Sequence, residues 1–261
     1  MDSSDRRGPW SPLDTAFAAG SAGLPDRVPW GMADGVGLAV AFVFSMLFFT
    51  ALSSALLSFA SGAPQVLGTA GGSAATLILV YVVLRDRTPP DRSVLSALCV
   101  HYRSPPRIVL RAIPPLVVGM AVYFAVGWGQ ATILRKAGVS PESIPRQQAV
   151  KIMMESTSPA VQASVVAFAL LLAPVVEETV FRGVLYLPVR ARLGPGAAGL
   201  LVSVVFAGIH NYAWGFPHLL IVGLTLAAVF EATGTLLAPI AAHSLYNLAM
   251  VAVLWTQGQA G

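Results

Sequence analysis

The chain has 261 residues, of which 56% are apolar and only 11% are charged, whereas soluble domains carry about 25% charged residues. Its mean hydropathy of +0.72 excludes an ordinary soluble protein and predicts an integral membrane protein. The formal charge of +4 does not indicate nucleic-acid binding, because the arginines lie at the ends of apolar runs, where they set orientation in the bilayer. Cys99 is the only cysteine, which excludes an intrachain disulfide and a cysteine-ligated metal cluster.

Apolar runs along the chain predict an all-α, polytopic membrane helix bundle of seven or eight helices. The predicted spans are residues 37–59, 66–84, 113–134, 161–186, 197–211, 218–230 and 237–255. The sixth run is short enough for a tilted or incomplete span. Residues 141–156 alternate polar and apolar side chains and predict an eighth, short helix at the membrane surface.

We divide the chain into four parts: an N-terminal cytoplasmic segment (1–33), N-terminal transmembrane helices with an Arg-rich loop (34–135), a loop with the surface helix (136–160) and a C-terminal core (161–256). Placing the N-terminus inside puts 12 of the 16 Lys and Arg residues on the cytoplasmic side. That excess predicts a cytoplasmic N-terminus and, with seven spans, an outer C-terminus. We expect a multi-pass protein of the cell membrane, in contact with lipid.

Ionisable residues inside spans are costly and therefore mark functional sites, and here they concentrate in the C-terminal half. The fourth run contains Glu177 and Glu178, with Arg182 four residues after the second. That spacing places Glu178 and Arg182 on one helical face, as an ion pair. Glu177 lies about 100° away around the helix and stays available for proton chemistry. A purely structural ion pair is the alternative interpretation.

The fifth run contains Phe206 and His210, and the seventh contains His243 and Asn247, each pair on one helical face. Gly194, Pro195 and Gly196 form a turn that makes the fourth and fifth helices antiparallel. At 1.5 Å per residue, Glu177 and His210 lie about 25 and 21 Å from that turn, so we expect them at similar depth.

This set of side chains fits two kinds of chemistry. A carboxylate and an imidazole activate water, while an Asn amide donates to an oxyanion. Glu177, His210 and His243 also form a set of ligands suited to zinc. The residues alone do not separate the two. Glu231, near the end of the sixth run, is interpreted as interfacial.

Three motifs carry a resemblance to a known family. Glu177 to Arg182 matches EExxxR, Phe206 to His210 matches FxxxH, and His243 to Asn247 matches HxxxN. In this order, on three apolar spans, they resemble the CAAX protease and bacteriocin-processing family, whose eukaryotic members are similar to type II CAAX prenyl endopeptidases. The resemblance covers about residues 161–255.

The resemblance implies an intramembrane endopeptidase in which Glu177 and His210 activate water and His243 and Asn247 stabilise the oxyanion. It implies structural support from Glu178, Arg182 and Phe206. The family is often described as metalloproteases, although water activation by glutamate without metal has also been proposed for it. We favour the metal-independent route and keep zinc as the alternative cofactor.

Two other functions compete with proteolysis: a non-catalytic scaffold or immunity-type membrane protein, and a transporter. A transporter typically shows repeated halves, whereas the polar residues here lie only in the last four spans. The substrate is predicted to be a peptide or another membrane protein, in a bacterium whose GC-rich genome is indicated by the abundance of Ala, Gly, Val, Arg and Pro. Nothing in the sequence identifies the substrate or the oligomeric state.

Overall fold

The structure is a computed structural model that describes residues 23–56, 63–101, 105–140, 143–144 and 146–258. It is all-helical, and the described residues contain no β-strand. Their helices, in chain order, are α1 (Met32–Leu56), α2 (Ala63–Arg87), α3 (Val94–Ala97), α4 (Pro105–Ala137), α5 (Gln148–Glu155), α6 (Pro159–Leu193), α7 (Pro195–Ile209), α8 (Phe216–Thr233) and α9 (Leu237–Gly258). The end of the first predicted span, at Phe59, and the N-terminal Arg6 and Arg7 lie outside the described residues.

Each of the seven predicted runs overlaps a helix, although the fifth run extends two residues past the end of α7, and the all-helical arrangement confirms a polytopic helical bundle. Among the described residues, six helices are long and apolar enough to cross a membrane, and α7 is a shorter apolar helix of 15 residues. The sixth run extends to an 18-residue helix, α8, which is long enough to be a complete span, so an incomplete span is wrong and its tilt stays a prediction. Pro217 lies in the first turn of α8, where a missing N–H is harmless, and Gly234 ends the helix at a φ of 67°.

The predicted surface helix is present as α5, which contains no buried residue. Residues 141, 142 and 145 of the predicted segment lie outside the description. The location of α5 at the membrane surface, the orientation of the chain and the four-part division remain predictions.

Helices approach one another closely at small residues, which is how spans pack where lipid supplies no hydrophobic drive. A Cβ at Gly68 of α2 would lie 2.5 Å from Cα of Thr50 in α1. A Cβ at Gly119 of α4 would lie 2.0 Å from Oγ1 of Thr225 in α8. These glycines therefore fix the α1–α2 hairpin and the α4–α8 pair.

Helix α6 forms the centre of the bundle, and residues 178–190 along it are all buried. Pro188 lacks the N–H that would reach the carbonyl of Val184 four residues earlier. The indole Nε1–H of Trp30, which precedes α1, donates to that carbonyl at 2.9 Å. The segment before α1 is thereby attached to the helix that carries the polar motifs.

Candidate active site

Helix α6 is irregular on both sides of Glu177. It contains one π-helical segment at Phe168–Leu172 and another at Thr179–Tyr186, with regular α-helix at Ala173–Glu178 between them. Such π segments are rare and frequently occur at functional sites. Here they bracket the two adjacent carboxylates.

The predicted ion pair between Glu178 and Arg182 is confirmed. Arg182 Nη1 donates to Glu178 Oε1 at 2.8 Å, and both side chains are fully buried. Arg182 Nη2 donates to the carbonyl of Gly223 in α8 at 2.8 Å, a contact that the sequence did not indicate. Arg182 therefore pairs with one oxygen of Glu178 and connects α6 to α8, while Glu178 Oε2 and Arg182 Nε have no hydrogen-bond partner among the described residues.

His210 lies just beyond the last residue of α7, and the chain turns immediately afterwards at Asn211, whose φ is 47°. Its Nδ1 lies 2.7 Å from the carbonyl oxygen of Phe206. Because a carbonyl only accepts, Nδ1 must carry the proton. The Nε2 atom of neutral His210 is therefore a lone-pair acceptor, and it points towards Glu177.

His243 is oriented in the same way by a carboxylate. Its Nδ1 lies 2.9 Å from Glu178 Oε1, so Nδ1–H donates to the carboxylate and Nε2 faces Glu177. The ring of Phe206 is buried among these groups, with centroids 4.7 Å from His210 and 5.9 Å from His243. Arg182 Cζ lies 4.9 Å from the same ring centroid. Phe206 therefore packs against both imidazoles.

The two Nε2 atoms converge on one oxygen. Glu177 Oε2 lies 3.9 Å from His210 Nε2 and 4.0 Å from His243 Nε2. Among the described residues, this buried oxygen has no hydrogen-bond partner. The structure thus brings together three of the four predicted site residues, and the matched depth of Glu177 and His210 is confirmed.

Asn247 lies one turn beyond His243 and contacts α6. In the first π segment, the N–H of Ala173 donates to the carbonyl of Phe168, five residues earlier. The next residue, Pro174, has no N–H, so the carbonyl of Ala169 lacks its π-helical donor. Asn247 Nδ2–H supplies that bond at 2.7 Å. The second hydrogen of the amide is not used in this contact.

The spacing of these groups tests the zinc alternative. Tetrahedral zinc holds N and O ligands at about 2.0–2.1 Å, which places ligand atoms roughly 3.3 Å apart. The separations of 3.9 and 4.0 Å around Glu177 are wider, and no group of three His, Cys, Asp or Glu among the described residues is placed to hold a metal. The ligand types suit zinc, but the spacing of these three groups is wider than a tetrahedral zinc site requires.

The interfacial assignment of Glu231 was wrong. Its side chain is fully buried and accepts from Tyr186 Oη at 2.7 Å, from Arg190 Nε and, through the other oxygen, from Arg190 Nη2 at 3.2 Å. The sequence carried a signal only for the α6 side of this cluster, because Glu178, Arg182, Tyr186 and Arg190 recur every four residues along that helix.

Comparison with known protein families supports the resemblance that the three sequence motifs indicate. Residues 159–249 match a family described as "Rce1-like: Type II CAAX prenyl endopeptidase Rce1-like". The matched stretch contains EExxxR, FxxxH and HxxxN, so the resemblance is confirmed over this part of the chain, and it supports a multi-pass membrane protease of the CAAX type. The match does not decide between a glutamate-type and a metal-dependent enzyme. No curated protein and no solved structure matches the chain.

Proposed function

We propose that this protein is an endopeptidase of the cell membrane, in which Glu177 and His210 activate the water that attacks a peptide bond. The observation that carries the proposal is the convergence of two oriented imidazoles on the unpartnered oxygen of Glu177. Groups 3.9 Å apart are too distant to bond directly. A water about 2.8 Å from each would bridge them at an angle of about 90°.

The protonation pattern suits a nucleophilic water. Such a water donates one hydrogen to Glu177 Oε2 and the other to the lone pair of His210 Nε2, which leaves its own lone pair for the substrate carbonyl carbon. Attack forms the C–O bond as Glu177 takes the proton. Collapse of the tetrahedral intermediate breaks the C–N bond, and the same proton passes to the leaving nitrogen.

Asn247 and His243 are proposed to stabilise the negative oxygen of that intermediate. Asn247 offers the amide hydrogen that is not bonded to Ala169. His243 donates through Nε2 only when both ring nitrogens carry protons, because Nδ1–H is already bonded to Glu178. With protonated His243, the ionised set of Glu177, Glu178, Arg182 and His243 sums to zero charge, which lowers the cost of burying it.

The substrate class is proposed to be a peptide or another membrane protein of a bacterial cell. Glu177 and both imidazoles are largely buried, with side-chain exposures of 16%, 17% and 7%. A bulky folded domain cannot reach such a site. A flexible or extended stretch of chain is therefore the expected substrate.

A comparison of membrane proteomes tests the proposal. Membranes from cells that express wild type or Glu177→Gln are compared by identifying protein N- and C-termini, with Glu155→Gln, an exposed carboxylate of α5, as the matched control. Precursors should accumulate, and cleaved termini should vanish, only with Glu177→Gln. Identical termini in all three strains would count against proteolysis. If Glu177→Gln also restores a growth defect caused by deletion of the protein, a non-catalytic scaffold would be favoured.

A further inference from the structure

The buried residues of α1 lie on one face of the helix. They are Gly35, Leu38 and Phe42, and their spacing of three and four residues places them on the same side. A Cβ at Gly35 would lie 3.1 Å from the carbonyl oxygen of Val184 in α6. Phe42 packs edge-on against Phe181 of α6, with ring centroids 6.1 Å apart. This face of α1 is therefore packed against α6.

The second π segment of α6, Thr179–Tyr186, contains a carbonyl without a donor from its own helix. This carbonyl belongs to Val184, and Pro188 has no N–H to offer it. In the buried part of a membrane protein, a carbonyl without a donor is costly. The indole of Trp30, which is 3% exposed, donates to this carbonyl at 2.9 Å. The segment that begins directly after Glu178 is therefore completed by a donor from outside α6.

A continuous series of rings leads from α1 to both imidazoles. Beyond Phe42, the ring of Phe181 packs edge-on against Phe206 of α7, with centroids 5.3 Å apart. The centroid of Phe206 in turn lies 4.7 Å from that of His210 and 5.9 Å from that of His243. The three phenylalanines are buried, and close-packed interiors transmit displacements because they contain few voids. A smaller side chain at Phe42 is therefore expected to displace both imidazoles.

We propose that Trp30 and Phe42 are positioning residues for peptide cleavage. Trp30 fixes the second π segment through Val184, and Phe42 holds the series of rings that orients the two imidazoles. This inference rests on the proposed function. Both residues lie outside the matched residues 159–249, so part of the machinery that orients the catalytic groups is supplied by a region that the family match does not cover.

Steady-state kinetics of purified variants test the proposal. The substrate is a peptide from a defined library in detergent that wild type cleaves and Glu177→Gln does not. Phe42→Leu and Trp30→Phe should each lower kcat per folded molecule by about tenfold or more, because misplacing catalytic groups by about 1 Å costs up to about 100-fold. KM should change by less than about twofold. Phe44→Leu and Trp128→Phe are the matched controls, since these side chains are 68% and 72% exposed, and they should behave as wild type.

A double-mutant cycle isolates the hydrogen bond of Trp30. Pro188→Ala restores a backbone N–H four residues after Val184. In that background the carbonyl has a donor from its own helix, so Trp30→Phe should lower kcat by less than about threefold. Equal losses in the two backgrounds would overturn the role of this bond.

Histidine NMR provides a readout that does not require turnover. In protein labelled with ¹⁵N-histidine, the signals are assigned by replacing the four histidines with Gln one at a time. Phe42→Leu should shift the ring signals of His210 and His243. It should leave the signals of His218 unchanged, because that ring packs against Tyr123 of α4. A role confined to stability would lower the unfolding temperature and move none of these signals in the folded protein.

The two readouts distinguish failure of the inference from failure of the proposed function. Unchanged kcat per folded molecule and unchanged ring signals would overturn the positioning roles. A rise in KM with unchanged kcat would also overturn them, in favour of a contact with substrate. Lower kcat without shifted ring signals would overturn the series of rings. If wild type cleaves no library peptide but Phe42→Leu still shifts the signals of His210 and His243, the proposed function is overturned and the orientation of the imidazoles from α1 stands.

Discussion

Two buried carboxylate–arginine clusters pack along α6: Arg190 pairs with Glu231 of α8, and Arg182 pairs with Glu178 of α6 itself. They differ in how fully the carboxylate oxygens are bonded. Around Glu231, both carboxylate oxygens accept hydrogen bonds, from Tyr186 and Arg190. Around Glu178, Oε1 accepts from both Arg182 and His243, whereas Glu178 Oε2 and the neighbouring Glu177 Oε2 have no partner among the described residues. The first cluster is closed, and the second is open on the side that faces two imidazoles.

We propose that this difference separates structural from chemical roles. A fully bonded buried ion pair has no bonding capacity left for a substrate or a water, so it fixes helix positions. An unpartnered buried oxygen stays costly unless something binds it, and sites with this property are candidates for function. On this proposal, Arg182 and Arg190, which lie eight residues apart on α6, belong to clusters with different roles.

The largest effect is expected from removing the unpartnered carboxylate. Glu177→Gln should lower the cleavage rate of a peptide that wild type cleaves by about 10²- to 10⁴-fold, because the general base is lost. Thermal unfolding in detergent should change little, since Glu177 makes no close ion pair. A large loss of stability with unchanged activity per folded molecule would reverse the roles of the two clusters.

The second prediction compares the clusters directly. Glu231→Gln and Glu178→Gln should each lower the free energy of unfolding in mixed micelles by about 3–5 kcal/mol, because each leaves an arginine buried without its carboxylate. Only Glu178→Gln should also reduce activity per folded molecule, by about 10- to 100-fold, because His243 loses the group that orients it. Equal specific activities in the two variants would show that Glu178 is purely structural.

The third prediction concerns Asn247, which has both a structural contact and a proposed chemical role. Asn247→Ala should lower kcat by about 10²- to 10³-fold with little change in KM, as expected for a lost oxyanion donor. Loss of the bond to Ala169 should lower stability by about 1–3 kcal/mol. Ser244→Ala on the same helix is the control, since its hydroxyl donates to Ile240 within α9. A stability loss with unchanged kcat would restrict Asn247 to holding the π segment.

These contrasts show which parts of the site the sequence could predict. The pair of Glu178 and Arg182 is separated by one helical turn, so the spacing alone predicted their contact. The shared depth of Glu177 and His210 was predicted from a tight turn and two regular α-helical rises, and it holds although the first arm contains the π segment Thr179–Tyr186. Both relations are local or nearly local, and the structure confirms both.

The remaining relations connect different helices and were not predicted. Glu231 meets Arg190 across 41 positions, so periodicity within a single helix could not reveal the pair. Pro174 has no N–H, so one carbonyl of α6 lacks its donor. In an α-helix that carbonyl would lie four residues before Pro174, but in the π segment it lies five residues before, at Ala169, where Asn247 donates to it. The bond from Trp30 to Val184 likewise spans 154 positions. Such contacts follow from tertiary packing, which the hydropathy pattern does not specify.

The smallest effect is expected from removing metal ions, because of the spacing of the groups around Glu177. Glu177 Oε2 and the two Nε2 atoms are separated by 3.9 and 4.0 Å, which suits a shared water better than tetrahedral zinc. Purified active protein should therefore contain far less than one zinc per chain, and a chelator should leave its cleavage rate unchanged. His210→Ala and His243→Ala should abolish activity without changing the measured zinc content. Stoichiometric zinc that disappears together with activity in either variant, and that restores activity to chelated wild type, would show that the three groups close around a metal. Because bound metal is measured independently of turnover, this outcome would change the proposed mechanism while leaving the proteolytic function intact.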